Sequence, residues 1–225
     1  MAAGLGICLT VSLSWLLQLP QAVPGPADGP GAAAVAGAAA GPPGGAAIVV
    51  NKSLPLATDQ VPQDLTDAGG VLLRAEAAGA YTAMVADAAA EGVAVSPVSG
   101  FRSREEQSRL HASYVESYGQ ESADSLSARP GYSEHETGLA VDIGNPDGIC
   151  ALEWCFEGTA AGSWAASNAH RYGFLIRYPA AAEHITGYAY EPWHLRYVGQ
   201  ELAAGIHASG LTLEEFLGLP AAPDY

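Results

Sequence analysis

Ser133-Glu134-His135-Glu136-Thr137-Gly138-Leu139-Ala140-Val141-Asp142-Ile143 is the stretch on which the reading of this chain turns. Leu139, Val141 and Ile143 alternate with Ala140 and Asp142, the period of a half-buried strand. Asp142 therefore faces away from the three larger apolar residues, beside Ala140, whose small side chain leaves room for an ion. A turn at Gly138 carries the loop residue His135 back beside the strand residue Asp142. Far along the chain, Glu191-Pro192-Trp193-His194 offers a second imidazole and another carboxylate. Two histidines and one aspartate hold Zn²⁺ with one position left open. A metal held this way brings the pKa of bound water to about 7, the requirement of a hydrolase. Glu191, three residues before His194, is placed to act as a base. In a regular strand the two would point to opposite faces, so a turn or bulge is expected at Pro192. His111, His170, His184 and His207 lack such companions and read as structural or exposed.

Working outward, a helix is expected over 72–91, ended by Gly92, and then a strand at Val93-Ala94-Val95 leading into Ser99-Gly100-Phe101-Arg102. Ser103 with Glu106 forms a capping box for a second helix, with Leu110, Tyr114, Val115 and Tyr118 on its apolar face and Gly119 as its stop. Residues 120–134 read as a connecting loop with one short helix. A helix over 163–172 stops at Gly173, and 174–178 is a strand. Helix is expected again over 195–209, and Thr212 with Glu215 caps a last short one. The fold class is α+β, a small, mostly antiparallel central sheet with helices packed around it.

The chain has 225 residues and a net charge of −15, which excludes the basic footprint of nucleic-acid binding. Seven of the nine cations (Arg102, Arg104, Arg109, Arg129, Arg171, Arg177 and Arg196) fall within residues 102–196, around the candidate metal ligands. Such arginines either pair with surface carboxylates or recognise an anionic group at the site. Residues 5–19 are apolar and uncharged, the length of a signal-peptide core. The expected location is therefore extracytoplasmic and cell-wall associated, by secretion or an N-terminal membrane anchor, although the first cation is as late as Lys52. Cys8 reads as a small apolar residue. The expected division is a signal peptide or anchor over 1–22, a Pro/Gly/Ala-rich disordered linker over 23–47, a catalytic domain over 48–219 and a tail over 220–225. In an exported domain Cys150 and Cys155 are expected to form a local disulfide, restraining the unfolded chain by about 2 kcal/mol.

Ser99-Gly100-Phe101-Arg102-Ser103, the 133–142 stretch and Glu191-Pro192-Trp193-His194-Leu195-Arg196-Tyr197-Val198-Gly199 together resemble VanY-type D-alanyl-D-alanine carboxypeptidases of the LAS group of zinc peptidases. Asn51-Lys52-x-x-Pro55-Leu56, Ser127-Ala128-Arg129-Pro130-Gly131, the two-cysteine loop and Tyr172-Gly173-Phe174-x-Ile176-Arg177-Tyr178-Pro179 extend the resemblance over 48–218. It implies a LAS/hedgehog-like fold and Zn²⁺ on His135, Asp142 and His194. It also implies Glu191 as the general base and Arg102 as the oxyanion stabiliser. Gln107 and Ser133 would line the substrate pocket, with Arg129 and Tyr132 at the peptide's terminal carboxylate. The implied substrates are peptidoglycan stem peptides ending in D-alanine, acted on by a monomer. An L,D-carboxypeptidase acting on tetrapeptide stems is the alternative, and a non-catalytic zinc-containing module is a further one. Glu136 stands where relatives often carry Gln and is expected to point outward.

Overall fold

The computed structural model describes residues 45–58 and 60–225. The expected signal or anchor segment and nearly all of the expected linker lie outside them. Strands β1 (Leu65–Asp67) and β2 (Leu72–Arg74) form an antiparallel hairpin that leads directly into α1 (Ala75–Ala90). The helix therefore starts later than the Ala-rich pattern predicts, because Leu72–Arg74 pairs with β1 instead. Strand β3 (Ser96–Ser99) likewise lies just beyond the expected Val93–Val95. Helix α2 (Arg104–Tyr118) carries the predicted capping box between Ser103 and Glu106. Gly119 ends it, and α3 (Gln120–Leu126) follows at once.

The central sheet contains β3, β4 (Ala140–Gly144), β6 (Glu191–Tyr197) and β5 (Phe174–Tyr178), in that spatial order and antiparallel throughout. Leu195–Tyr197, expected to open a helix, instead completes β6. The apolar Leu195 and the buried Tyr197 serve a strand inside the sheet, and α6 (Gln200–Ser209) begins only after Gly199. Helix α4 (Ala160–Asn168) is capped by Thr159, and a 3₁₀ turn carries the chain to Gly173. Two short helices remain, α5 (Glu183–Thr186) and α7 (Leu213–Phe216), the latter with the predicted Thr212–Glu215 capping box. The main core packs Leu139, Val141, Ile143, Phe174, Leu195 and Tyr197 of the sheet against Leu73, Tyr81 and Met84 and against Phe156 and Trp164. Cys150 and Cys155 are bonded to each other.

The location expected from residues 5–19 requires correction. Among the described residues no helix is long and apolar enough to cross a membrane. The longest of them, α1 with 16 residues, spans about 24 Å at 1.5 Å per residue, short of a hydrocarbon layer of about 30 Å. Residues 5–19 themselves lie outside the described part, so the extracytoplasmic, wall-associated assignment is withdrawn.

Candidate metal centre

Antiparallel pairing sets Asp142 of β4 directly opposite His194 of β6, and directly opposed residues have Cβ atoms about 5 Å apart. His135 comes from a 3₁₀ turn, Glu134–Thr137, that ends at Gly138 in the left-handed conformation (φ +68°). A side chain there would be strained and would also press on Arg74 and Leu65. That reversal places His135 over the strand. One ligand atom from each of His135, Asp142 and His194 lies within 4.8 Å of the others, and all three residues are buried. His135 Nε2 is 3.2 Å from Asp142 Oδ2, and His194 Nδ1 is 3.1 Å from Asp142 Oδ1.

The surrounding hydrogen bonds decide which ring nitrogens face inward. His135 Nδ1 is 2.7 Å from the carbonyl of Gly100, to which it donates. Gly100 lies so close to Val71 and Leu72 that a Cβ would stand 2.6 Å from the Leu72 carbonyl oxygen. On the other ring, His194 Nε2 lies 3.3 Å from Glu134 Oε2. Each histidine thus spends one nitrogen on an outer partner and turns the other inward, the usual arrangement around a metal. Asp142 Oδ1 is buried and makes no well-aligned hydrogen bond, although His194 Nδ1 stands 3.1 Å away; a cation between the two would satisfy both atoms. Two imidazoles and a carboxylate are also a donor set suited to Zn²⁺, and on both counts the residues fit that ion.

Electrostatics agree. Burial alone would lower the His194 imidazole, but the carboxylates of Asp142 and Glu134 outweigh it and raise it to about 10. Burial would raise Asp142, yet His135 and His194 hold it well below the usual carboxylate range. A metal must therefore displace a proton from His194 at any lower pH. Zinc affinity is expected to weaken by about tenfold for each pH unit of acidification. Competition against a chelator of known affinity between pH 6 and 8 measures it, and a flat profile would contradict this protonation scheme.

Glu191 Oε2 lies 3.6 Å from His194 Nδ1, on the same side as the ligands. The register explains how. Ile176 pairs with Leu195, whereas Tyr178, two residues on, pairs with Glu191, four residues back. Two extra residues of β6 therefore bulge out at Pro192–Trp193, the place where the sequence requires a break in alternation. Burial pushes the Glu191 carboxyl up to about 7; Asp142 and Glu134 add to the push, while His194 opposes it.

The centre lies in a cleft of about 330 Å³ that Arg102, Gln107, Ser133, Tyr178, Glu191 and Trp193 help to line. Arg102 donates to Gln107 Oε1 (2.8 Å) and Ser99 Oγ (3.0 Å). The amide nitrogen of Gln107 is also engaged, with Ala128 O (2.6 Å) and Ser127 Oγ (3.2 Å), so this side chain holds Arg102 rather than being free for a ligand. Arg129 and Tyr132 do not line this cleft. Arg129 is paired with Asp124 and Tyr132 packs against Tyr225, so the structure does not bring these two expected substrate contacts to the site. Nor does Glu136 point outward. It is buried, accepts from Gly131 N at 2.6 Å and pairs with Arg104.

Sequence reasoning missed Glu134. Its Oε1 accepts from Arg177 Nε (2.8 Å) and Arg196 Nη1 (2.9 Å), while its Oε2 faces His194. All three of these charged side chains have zero exposure. Burial would raise the Glu134 carboxyl, but Arg177 and Arg196 hold it far below its ordinary value. Glu214 takes both terminal nitrogens of Arg177, and Asn51 caps Glu214 at 3.0 Å. These two arginines therefore pair with buried carboxylates, not surface ones. A lone arginine inside the apolar strand Phe174–Tyr178 was the available signal.

A small antiparallel sheet presenting a buried His-Asp-His cluster with an adjacent carboxylate defines the class as LAS-type zinc peptidases. The chain belongs within it to the VanY family, described as D-alanyl-D-alanine carboxypeptidase, whose sequence profile matches residues 70–200. It is 46% identical over 144 residues to the putative carboxypeptidase YodJ of Bacillus subtilis (strain 168), covering 64% of this chain and 53% of that one. It thus spans about half the length of that curated relative. Among solved structures, the LdcB LD-carboxypeptidase aligns with a TM-score of 0.73 at 40% identity, covering 78% of this chain and 87% of the other. A mutant of the vancomycin-resistance D,D-pentapeptidase VanY, in complex with Zn(II), aligns with a TM-score of 0.68 at 34% identity, covering 76% and 97%.

Proposed function

We propose that this chain is a zinc carboxypeptidase that hydrolyses the terminal D-alanine from peptidoglycan stem peptides, acting as a monomer. His135, Asp142 and His194 hold the ion, Glu191 is the base and Arg102 the oxyanion stabiliser. The observation carrying this reading is Glu191 Oε2 standing 3.6 Å from His194 Nδ1, a carboxylate at the edge of a metal-binding cluster without being part of it. When bound, zinc supplies a Lewis acid at the scissile carbonyl and eases the ionisation of water.

The chain's own groups supply the rest. Glu191 takes the proton of the attacking water and returns it to the departing amine of D-alanine. Its raised carboxyl suits it to both transfers. Arg102, fixed by Gln107 and Ser99, presents a positive charge to the carbonyl oxygen as it gains electron density. Ser133 lies in the cleft beside them and contacts the peptide. The likeness to an LD-carboxypeptidase supports a second reading of the same chemistry, in which the scissile bond follows an L-centre in a tetrapeptide stem.

Incubation with defined penta- and tetrapeptide muropeptides, followed by mass spectrometry, tests both. Loss of one alanine from the pentapeptide is expected, and loss from the tetrapeptide alone would select the second reading. Treatment with a chelator is expected to abolish turnover, and added Zn²⁺ to restore it. Full turnover by protein shown by elemental analysis to hold no zinc would refute the metal's role.

A further inference from the structure

Beside the metal cleft lies a second, more open hollow lined by Lys52, Asp124, Arg129, Asp224 and Tyr225 among others. Tyr188 lines the cleft, and its hydroxyl meets that of Tyr225 at 3.1 Å. Tyr225 is therefore seated between the two. Its ring packs edge-on against Tyr132 (5.0 Å between centroids) and lies under the Arg129 guanidinium (4.2 Å). Lys52 Nζ approaches both this ring and that of Tyr188. The main-chain N–H of Arg129 donates to the Tyr225 hydroxyl at 2.7 Å.

That last bond begins a continuous path. The residue before Arg129 presents its carbonyl to Gln107 Nε2, and Ser127 presents its hydroxyl to the same nitrogen. With its nitrogen so held, Gln107 turns its oxygen toward Arg102 Nη1. An amide side chain has two distinct ends, so fixing one fixes the other.

We infer that Tyr225 is a positioning residue for the reaction: its hydroxyl anchors the Ser127–Arg129 segment, which orients Gln107 and through it Arg102. This rests on the proposed role of Arg102 at the carbonyl oxygen. Loss of the hydroxyl would leave the ring packing in place and remove its hydrogen bonds to the Arg129 N–H and to Tyr188, of which only the first leads to Gln107 and Arg102. Small misplacements of a charge that acts in the transition state are felt mainly in kcat.

The test uses the zinc-loaded full chain, compared with Y225F, Q107A and the double variant on a D-alanine-terminated peptide. Y225F is expected to lower kcat by about five- to tenfold with KM within about twofold and with zinc content unchanged. In the Q107A background the same change is expected to cost less than about twofold, because residues in one network are not additive. Hydrogen exchange in the peptide spanning 127–129 is expected to quicken in Y225F whether or not the protein is active. An unchanged kcat, an equal fractional loss in both backgrounds, or unaltered exchange at 127–129 would each overturn the inference. Y225W, an aromatic side chain without an acceptor, is the second variant should Y225F fail to fold, and the same losses are expected. If the wild type cleaves no D-alanine-terminated peptide, the proposed activity fails, while the exchange measurement still decides whether Tyr225 holds the 127–129 segment.

Discussion

Replacing Glu191 by glutamine is expected to lower kcat by about 10²- to 10⁴-fold, the range for loss of a positioned general base, while zinc stays bound. Glutamine has nearly the same shape and fits the bulge at Pro192–Trp193, so His194 keeps its place opposite Asp142. What disappears is the ability to accept a proton from water and hand it on. Elemental analysis of the purified variant and single-turnover hydrolysis separate the two effects. A variant that keeps its metal and its full rate would sink the assignment of Glu191. The same carboxyl sets the sign of a pH dependence in the wild type. Burial pushes it up to about 7 without the ion, and a neighbouring cation draws it down again. Because the base must be ionised to act, kcat/KM is expected to fall on the acid side, along a limb whose midpoint lies below 7.

The second large effect is expected at Glu134, which makes no contact with substrate in the proposed mechanism. Its carboxylate is the shared partner of Arg177 and Arg196 and the outer partner of His194. Glu134→Gln leaves two fully buried guanidinium groups with too little negative charge around them. Removing one member of a buried ion network costs about 3–5 kcal/mol, a large part of the stability of an ordinary domain. It also takes from His194 the acceptor that turns Nδ1 inward, and losing such an outer partner weakens metal affinity by about 10- to 100-fold. Urea unfolding of the chelator-treated protein reads the first effect, and zinc competition on the folded fraction reads the second. A variant as stable and as tightly zinc-binding as the wild type would mean that the buried cluster does neither job.

The sequence made the chemistry of the centre more legible than its surroundings. Alternation in Leu139–Ile143 is a local property, so strand β4 and the direction of Asp142 could be read from a few residues. Capping boxes at Ser103 and Thr212 are equally local, and both occur where the spacing predicts. Pairing partners are not local. Leu72–Arg74 and Leu195–Tyr197 have side chains that suit a helix or a strand, and only a neighbouring strand decides between them, here β1 in one case and β4 with β5 in the other. Burial of charge escaped notice for the same reason. Glu134 and Glu136 look like solvent-facing carboxylates until arginines from residues 104, 177 and 196 are folded against them. The fate of Arg129 and Tyr132 depended on Asp124 and Tyr225, contacts that no spacing announces.

The arginine pair beneath the metal site reaches back to the start of the described chain. Arg196 Nη2 donates to the carbonyls of Ala46 and Ile48, and Asn51 closes over Glu214. Those residues precede the 70–200 span shared with the family profile, and Glu214 follows it. The recognisable core of the sequence therefore leans on residues that flank it on both sides. A polypeptide trimmed to that span would keep every proposed zinc ligand and the base, yet it would lose the carbonyls that accept from Arg196 and the carboxylate that balances Arg177.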